Sequence, residues 1–463
     1  MRAAVVVVAS VTLAACSSTG VAPTASTPPT TSSTTSASAP TGTVQPAAGD
    51  DWPTYHGDLR RTGVSASMPV AAGVPTVVAA LDLGAAVYAS PLVIGGTAVV
   101  ATERNVVVGL DSTGRQLWRT SLGTPATRSE LPCGNIDPLG ITGTPVYDAT
   151  TKLLYLVAEH GGPPSHELVA LSPLDGTVSW RTSVDLPGVD AKAMQQRGAL
   201  SLAGGKVWVP FGGLAGDCGD YKGRLVGVPL AGPHTPTAYT VPTPREAGIW
   251  TPPGPTLTDD GHLLVAVGNG ASGPGDPYDT SDSVLELDGT TLVDSFSTSS
   301  WASDNADDLD LGSQGPALVG DRWVFIAGKS GTAYVLRQGH LGGIGGEVSQ
   351  ASVCTSFGGT AVVDDVVYVP CTDGLRAVRI SSTGAMDVLW QSDSAVTGSP
   401  VVGGGRVWSL DPGAGVLHTI DPTNGQSLGQ VTVGVTSRFA TPAISGSDVY
   451  VPTMAGLTIV RTS

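Results

Sequence analysis

Charged and aromatic side chains are scarce in this sequence of 463 residues, at 13% and 5% of the chain. The charges that are present are mostly acidic and give a formal net charge of −16 at pH 7. This balance argues against nucleic acid and against anionic lipid surfaces as partners, because both would repel the protein. No long segment has the period of an amphipathic helix, which argues against an all-helical body.

Common catalytic motifs are also missing from the sequence. There is no Gly-x-Ser-x-Gly elbow of a hydrolase, no His-Glu-x-x-His segment and no pair of histidines at metal-binding spacing. His160 and His166 border the turn EHGGPPSH and are expected at the surface. Any catalytic site must therefore be sought in other residue types.

The N-terminus begins MRAAVVVVASVTLAAC, with one positive charge at Arg2 and an apolar run too short to cross a bilayer. The pattern predicts a signal peptide over residues 1–15. The ending Leu-Ala-Ala-Cys resembles the lipobox of bacterial lipoproteins, which implies that Cys16 becomes a lipid-modified N-terminus. The alternative is an ordinary secretory signal with a chance cysteine. Both place the protein outside the cytoplasm, and the first anchors it by lipid alone to the extracytoplasmic face of the cell membrane.

A spacer follows over residues 16–49. It has no charge and consists almost only of Ser, Thr, Pro, Ala and Gly, a composition that cannot bury a core. We interpret it as a linker that holds the folded body, residues 50–463, away from the membrane.

The body is repetitive and reads as all-β, because short alternating strands are separated by Gly, Asp and Asn. Segments that begin at Ser90, Thr144, Ser399 and Thr441 share one plan: a small residue and usually proline, then strands separated by Gly/Asp turns. The residue after the opening small residue marks eight such units: Pro91, Pro145, Ala199, Pro255, Pro316, Ala361, Pro400 and Pro442.

Units of ~40–50 residues cannot cover both faces of their own sheet, so they are expected to stack around an axis. We predict an eight-bladed β-propeller of four-stranded antiparallel blades. Seven blades is the main alternative, since the third and sixth units match least well. The last unit reaches Ser463 after three strands, and the segment TVVAALDL (residues 76–83) is expected to supply its outer strand.

The repeats resemble those of quinoprotein-type propellers, which bind pyrroloquinoline quinone (PQQ). In that family a turn of Asp and Gly is followed by a tryptophan that packs between blades. Asp111 and Trp118 stand in this relation, and so do Asp175 and Trp180. The segment WPTYHGDLRRTG (residues 52–63) resembles the family's N-terminal lead-in. The family contains both dehydrogenases and non-catalytic scaffolds of outer-membrane assembly, so the resemblance implies a fold and leaves the function open.

The family's dehydrogenases stack the quinone on a tryptophan and hold a metal with an asparagine and a carboxylate. Trp250, in GIWTPPGP, resembles the stacking tryptophan, and a flat indole suits a quinone. The alternative is that Trp250 fills the central channel. Asn269, in LLVAVGNG, resembles the metal-binding asparagine, whose amide oxygen suits calcium. The alternative there is a turn asparagine beside Gly270.

The segment DNADDLD (residues 304–310) holds four aspartates and resembles the family's catalytic segment. The resemblance implies that Asp308 is the base that takes a hydroxyl proton, and that Asp310 is the extra carboxylate of the lanthanide-using subgroup. Alternate residues of an extended segment point the same way, so both are expected to reach one calcium or lanthanide ion. Asp304 and Asp307 are interpreted as solvated turn residues.

Lys329, in AGKSGTAYVLR on the second strand of its blade, resembles the basic residue that contacts the quinone. Three features depart from the family. Adjacent cysteines are missing, and the second metal carboxylate is not clearly placed, although Asp217 and Asp220 are candidates. The chain also lacks large insertions between blades and a Cys-x-x-Cys-His haem site, so electrons would pass to a separate acceptor. Two hypotheses result. One is a PQQ- and metal-dependent dehydrogenase that oxidises an alcohol or a sugar hydroxyl. The other is a non-catalytic propeller that binds a protein or an envelope glycan. In both we expect a monomer.

Four cysteines remain besides the N-terminal one, and an even set in an oxidising compartment predicts two disulfides with three possible pairings. Cys354 and Cys371 bracket one strand pair of the sixth unit, so we pair them. Cys133 and Cys218 are then left for each other and would join loops of the second and third blades.

Overall fold

The computed structural model describes residues 49–462. The predicted signal peptide (residues 1–15), Cys16 and the predicted linker up to residue 48 lie outside these residues. Within the described part, no helix is both long enough and apolar enough to cross a membrane.

The described body is the predicted all-β propeller, with eight sheets that each contain four antiparallel strands. Each blade starts just after the small-residue marker found in the sequence. In chain order, the strands of blades 1 to 4 are Leu92–Ile94, Thr97–Ala101, Val106–Leu110 and Gln116–Ser121; Val146–Asp148, Leu153–His160, Ser165–Leu171 and Val178–Ser183; Ser201–Ala203, Lys206–Gly213, Arg224–Pro229 and Thr237–Thr240; Thr256–Leu257, Leu263–Val267, Ser283–Asp288 and Thr291–Ser297.

The remaining four blades repeat this plan. Their strands are Ala317–Val319, Trp323–Ala327, Thr332–Arg337 and Ser349–Ser352; Ala361–Val363, Val366–Val369, Arg376–Ile380 and Met386–Gln391; Val401–Gly403, Arg406–Asp411, Val416–Ile420 and Ser427–Thr432; Ala443–Ser445, Asp448–Pro452 and Gly456–Arg461. The fourth strand of the last blade is Thr76–Asp82, which pairs antiparallel with Gly456–Arg461. This confirms the predicted closure of the ring.

A few short elements lie outside the four-stranded plan. Three two-residue strands extend blades 7, 3 and 4, and the described helices comprise one α-helix and three 3-10 turns. The short strands are Val64–Ser65 (blade 7), Met194–Gln195 (blade 3) and Gly343–Ile344 (blade 4). The α-helix is Trp301–Asp307, and the 3-10 turns are Tyr55–Gly57, Ala191–Ala193 and Leu311–Ser313.

The tryptophans of the repeat motif join neighbouring blades, as the family signature implied. Trp118 of blade 1 is almost buried, and its indole N–H donates to the backbone oxygen of Pro173 in blade 2 at 3.1 Å. A Cβ on Gly176 would lie 2.4 Å from the Trp118 ring, so only glycine fits this turn. The core therefore lies between sheets, where apolar faces of adjacent blades are removed from water together.

The segment of residues 52–63, which we call the axial plug, lies against the innermost strands of the ring. Gly57 has a φ of 81° and packs on Trp52, where a Cβ would approach the ring to 3.0 Å. The plug forms hydrogen bonds with every one of the eight blades, in order at Val93, Tyr147, Leu200, Pro255, Gly320, Thr360, Val402 and Thr441. Its buried residues thus form a hub for the ring.

Both predicted disulfide pairs are formed. Cys133 and Cys218 have their Cα atoms 6.1 Å apart, and Cys354 and Cys371 have theirs 5.7 Å apart. The first pair ties the loop that precedes blade 2 to blade 3, and the second brackets the inner strand pair of blade 6.

Candidate functional site

Trp250 lies in the loop that precedes the first strand of blade 4, with its ring half-buried. Glycines make room for it on two sides. A Cβ on Gly212 would lie 2.8 Å from the Cβ of Trp250, and one on Gly268 would lie 2.9 Å from its indole nitrogen. The ring meets Phe439 of the loop before blade 8 edge-on, with centroids 6.2 Å apart and an interplanar angle of 80°. The indole is therefore held in one place while part of its surface stays open.

The segment DNADDLD is not an extended strand, and this changes the predicted arrangement of its aspartates. Residues Trp301–Asp307 form an α-helix, and Asp308 ends it in the left-handed conformation (φ 55°, ψ 45°). The chain reverses at this residue. As a result, the side chain of Asp308 is 68% exposed, whereas that of Asp310 is fully buried.

The interpretation of Asp304 as a solvated turn residue is wrong. It lies in the first turn of the helix, is buried, and accepts hydrogen bonds from the hydroxyls of Thr298 at 2.9 Å and Ser300 at 2.6 Å. A carboxylate in this position is favoured because the helix N-terminus carries a partial positive charge. Asp307 is exposed, at the other end of the helix.

Lys329 connects the aspartates to the tryptophan. Its Nζ lies 2.5 Å from Asp308 Oδ1 and 2.6 Å from Asp310 Oδ2, and it is 5.7 Å from the centroid of the Trp250 ring. Burial alone would lower the pKa of Lys329, but the two carboxylates raise it above its ordinary value. The lysine stands two residues beyond the second strand of blade 5 and not on that strand, which corrects its predicted position.

A third carboxylate, Asp282, lies behind this group. It is fully buried, and its Oδ1 accepts a hydrogen bond from the backbone N–H of Leu311 at 2.7 Å, whereas its Oδ2 has no partner. Burial, and then the nearby charge of Asp310, raise the pKa of Asp282 well above its ordinary value. Burial also raises the pKa of Asp310, against the effect of Lys329. The ammonium group of Lys329 thus pairs with Asp308 and Asp310, and the described residues offer Asp282 no cation of its own.

The other predicted metal-site residues form no side-chain hydrogen bond or ion pair with this group in the described part of the chain. Asn269 is half-buried, and its backbone oxygen accepts a hydrogen bond from Ala247. Asp217 and Asp220 are both exposed, and Asp217 accepts a hydrogen bond from the hydroxyl of Tyr221 at 2.5 Å. Over residues 49–462, no three His, Cys, Asp or Glu side chains come together as a metal-binding group.

Sequence reasoning missed four residues that form two cation–π pairs next to Trp250, which Phe439 contacts. The guanidinium carbon of Arg197 lies 4.4 Å from the centroid of Phe439, and that of Arg438 lies 3.7 Å from the centroid of Phe357. A weak signal was available. Phe439 and Tyr88 each stand three residues before the opening proline of a blade, a position that turns toward the axis.

His166 was expected at the surface and is instead buried at 3% exposure, which makes that expectation wrong. It follows the tip of a hairpin in blade 2, and its ring packs edge-on against Phe211 of blade 3 at 5.0 Å. One ring nitrogen lies 2.9 Å from Glu159 Oε1 and the other 2.7 Å from Asp185 Oδ1. Burial alone would lower the pKa of His166, but the two carboxylates raise it to about 10.

Comparison with known proteins places this geometry in context. Residues 57–270 match the family described as outer membrane protein assembly factor BamB. The chain is 29% identical to the polyvinylalcohol dehydrogenase of Sphingopyxis sp. (strain 113P3), in an alignment that covers 44% of this chain and 38% of that protein. The chain thus spans well under half the length of this curated relative.

Two solved structures have the same architecture. BamB from Moraxella catarrhalis superposes with a TM-score of 0.55 at 17% identity, covering 84% of this chain and 98% of that one. The quinohemoprotein alcohol dehydrogenase ADHIIG from Pseudomonas putida HK5 superposes with a TM-score of 0.66 at 13% identity, covering 89% and 80%. At identities this low, the superpositions support a shared fold and not a shared function. Together with the eight sheets, they show that this chain has a β-propeller fold similar to that of PQQ-like proteins.

Proposed function

We propose that this protein is an extracytoplasmic oxidoreductase that binds a quinone of the PQQ class and oxidises an alcohol or a sugar hydroxyl. The observation that supports the proposal most is the position of Lys329. Its ammonium group contacts the predicted base, Asp308, and lies 5.7 Å from the ring of the predicted stacking residue, Trp250. Lys329 therefore links the two other residues that the family resemblance pointed to.

The side chains around Trp250 suit a planar aromatic anion. The half-buried indole offers a flat apolar surface, and aromatic stacking on such a surface adds to the gain from burial. Two cations are nearby: Lys329 lies 5.7 Å from the indole centroid, and Arg197 stacks on Phe439, which meets the indole edge-on. When bound, PQQ would supply the carbonyl carbon that accepts two electrons from the substrate.

Asp308 is our proposed catalytic residue. Its side chain is 68% exposed, so a hydroxyl arriving from solvent has access to it, and its ion pair with Lys329 holds the carboxylate beside the Trp250 ring. Removal of the hydroxyl proton by a positioned carboxylate typically contributes a factor of ~10²–10⁴ to the rate. The buried Asp310 would act as a positioning residue, because its ion pair with Lys329 holds the ammonium group in place.

The residues present do not fit the predicted calcium or lanthanide ion. The ammonium group of Lys329 already lies between Asp308 and Asp310, where the ion would have to bind, and a second cation there would be repelled. We therefore derive no step through a metal. Metal binding by Asn269, Asp308 and Asp310 stays a prediction, which the experiment below includes as a separate arm.

The lipid anchor belongs to the same proposal. We propose that residues 1–15 are removed, that Cys16 carries the lipid, and that residues 16–49 hold the propeller away from the extracytoplasmic face of the membrane. The Leu-Ala-Ala-Cys sequence supports this. Mass spectrometry of the N-terminal peptide from membranes tests it, and an unmodified peptide that begins elsewhere would contradict it.

The binding experiment is a titration of the purified protein with PQQ, without metal and then with calcium or lanthanum ions. We expect micromolar binding that Trp250→Ala weakens at least tenfold, since the stacking surface is lost. Trp180→Ala is the matched control, because Trp180 is also half-buried but stacks on His234, away from the axis. An equal effect of both substitutions, or no binding at all, would count against the proposal.

Turnover is measured on the same proteins by dye reduction with a panel of alcohols and sugars. Asp308→Asn should reduce quinone-dependent turnover at least ~100-fold while PQQ binding persists. Turnover that survives the substitution would remove Asp308 as the base. A stimulation by calcium or lanthanum would show that the metal displaces Lys329, contrary to our reading of the site.

A second candidate function is favoured by one observation. The family match over residues 57–270 is to an outer-membrane assembly factor, and the pairing of both aspartates with Lys329 would equally suit a site that has lost its chemistry. In that case the protein would be a scaffold that binds a protein or an envelope glycan. Lack of PQQ binding, with the fold intact, would favour this function over the oxidoreductase.

A further inference from the structure

A cavity of about 310 Å³ lies between blades 6 and 7, and its lining includes neither Trp250 nor Lys329. Two of its wall residues, Arg438 and Phe357, contact Phe439, the ring that meets Trp250. The size of the cavity is at the lower end of the ~300–1,000 Å³ of small-molecule sites, which suits a ligand as large as one sugar unit. Its walls come from five loops: those before blades 6, 7 and 8, and those after the second strands of blades 6 and 7. The lining residues are Phe357, Pro370, Cys371, Thr372, Thr397, Asp411, Pro412, Gly413 and Arg438.

The cavity contains one cation and one anion that are not paired with each other. Arg438 stacks on Phe357, with its guanidinium carbon 3.7 Å from the ring centroid, and among the described residues it forms no ion pair. Stacking on an aromatic ring fixes the plane of the guanidinium and leaves its N–H groups at the edge free to donate. Partial burial lowers the pKa of Arg438 from its ordinary value, as expected for a cation with little water around it.

Asp411 stands at the end of the second strand of blade 7. One of its oxygens, Oδ1, accepts a hydrogen bond from the backbone N–H of Ala414 at 3.0 Å, which orients the carboxylate. The other oxygen is left to accept hydrogen bonds from a ligand. Thr372 and Thr397 add two hydroxyl groups that both donate and accept.

The walls of the cavity are fixed to each other. The Cys354–Cys371 disulfide joins the segment that leads to Phe357 with the segment that continues to Thr372. The backbone N–H of Thr372 also donates to the oxygen of Thr355 at 3.0 Å. A preformed site loses little conformational freedom when a ligand binds, which favours affinity.

We propose that this cavity binds a sugar acid, that is, a monosaccharide-sized molecule with several hydroxyls and one carboxylate. The carboxylate would pair with Arg438, whose planar fork matches a carboxylate in two hydrogen bonds. The hydroxyls would bond to Asp411, Thr372 and Thr397. A neutral sugar would leave Arg438 without a counter-charge, and a doubly charged phosphate would be repelled by Asp411 in the same cavity.

The proposal does not depend on the quinone, because binding here uses neither Trp250 nor Lys329 nor Asp308. It is tested by calorimetric titration of the purified full-length protein, without PQQ, with galacturonate, galactose or inorganic phosphate. We expect galacturonate to bind at least tenfold more tightly than galactose, and phosphate to bind more weakly than galacturonate. These two sugars differ only in the group that Arg438 would recognise.

Arg438→Gln should reduce the affinity for galacturonate to that for galactose, and Arg438→Lys should give an intermediate value, since it keeps the charge and loses the fork. Arg322→Gln is the matched control, because Arg322 lies 5.6 Å from the Trp323 ring but outside this cavity. It should change neither affinity.

Equal affinity of the unmodified protein for galacturonate and galactose would overturn the proposal, whatever the variants do. So would phosphate binding as tight as galacturonate, or galacturonate binding that Arg438→Gln leaves unchanged. If that variant does not fold, Asp411→Asn serves instead. It should weaken galactose and galacturonate alike, and an undiminished affinity for both would contradict the assigned role of Asp411.

Discussion

Blades 2 and 5 both hold a cation between two carboxylates, yet the two arrangements differ in what can reach them. In blade 2, His166 lies between Glu159 and Asp185, with the histidine at 3% exposure and Glu159 at 4%. In blade 5, Lys329 lies between a buried aspartate, Asp310, and an exposed one, Asp308. The rigid ring of His166 is packed against Phe211, while the flexible lysine stands beside an open tryptophan face.

The comparison shows that a shifted pKa and a charged cluster do not by themselves mark a functional site. Both cations have raised pKa values for the same reason, the attraction of two carboxylates. The partners of the histidine are at most 21% exposed, whereas Asp308, a partner of the lysine, is 68% exposed. We therefore interpret the histidine as a structural tie between blades and the lysine as part of the site.

The largest expected effect is a loss of stability when His166 no longer pairs with Glu159 and Asp185. His166→Leu leaves Glu159 and Asp185 without their shared cation, and an unpaired buried charge costs about 3–5 kcal/mol. Chemical denaturation of the variant should show this loss. His340→Leu, at an exposed histidine, should change the unfolding free energy by less than about 0.5 kcal/mol. A decrease in unfolding free energy below about 1 kcal/mol for His166→Leu would show that these ion pairs do not stabilise the fold.

The second expected effect is the pH dependence of the same tie. The pKa of His166 is about 10 in the folded protein and 6.5 in a free histidine, so folding favours the protonated form. Its contribution to stability is fully present below pH 6.5 and is lost as the pH rises toward 10. The difference in unfolding free energy between the unmodified protein and His166→Leu should therefore shrink between pH 7 and pH 10. A constant difference would contradict the assigned pairing.

A smaller stability effect is expected in blade 5. Lys329→Met leaves the buried Asp310 without its cation, whereas the exposed Asp308 can be solvated by water instead. The free energy of unfolding should therefore fall by about 2 kcal/mol. PQQ binding should weaken in the same variant. Lys206→Met is the control, because Lys206 also lies over a tryptophan ring, at 5.5 Å from Trp208, but pairs with no carboxylate. A variant that keeps both stability and binding would separate Lys329 from the proposed site.

The smallest effect on stability is expected at Asp308, the exposed aspartate that pairs with Lys329. Asp308→Asn should change the unfolding free energy by less than about 0.5 kcal/mol, because ion pairs of exposed side chains contribute little. Thermal denaturation checks this. A loss of several kcal/mol would make Asp308 a structural residue and would undermine its use as a catalytic probe.

The fold could be predicted almost completely from the sequence, because each blade carries its own signals. The opening small residue, the Gly/Asp turns and the tryptophan of the repeat are local, and they recur often enough to count the blades. Ring closure by Thr76–Asp82 followed from the same count. The cysteines could be paired because one pair brackets two adjacent strands.

The candidate site was predicted only in part, since its geometry depends on contacts between distant segments. Trp250, Asp308 and Lys329 were chosen from a resemblance, and the structure brings them together. The burial of Asp310 could not be foreseen, because it results from a helix end in the left-handed conformation at Asp308. Nor could the partners of His166, since Asp185 lies 19 residues away and Phe211 belongs to another blade.

The axial plug also has a consequence for the order in which the chain folds. His56 bridges the backbone oxygen of Thr360 and the hydroxyl of Thr441, which lie 304 and 385 residues away in the sequence. The plug thus finds its last partners only after blade 8 has been synthesised. Contacts between residues so distant in sequence slow the search for the native state. A truncation of the last blade would therefore remove one of the two hydrogen-bond partners of His56.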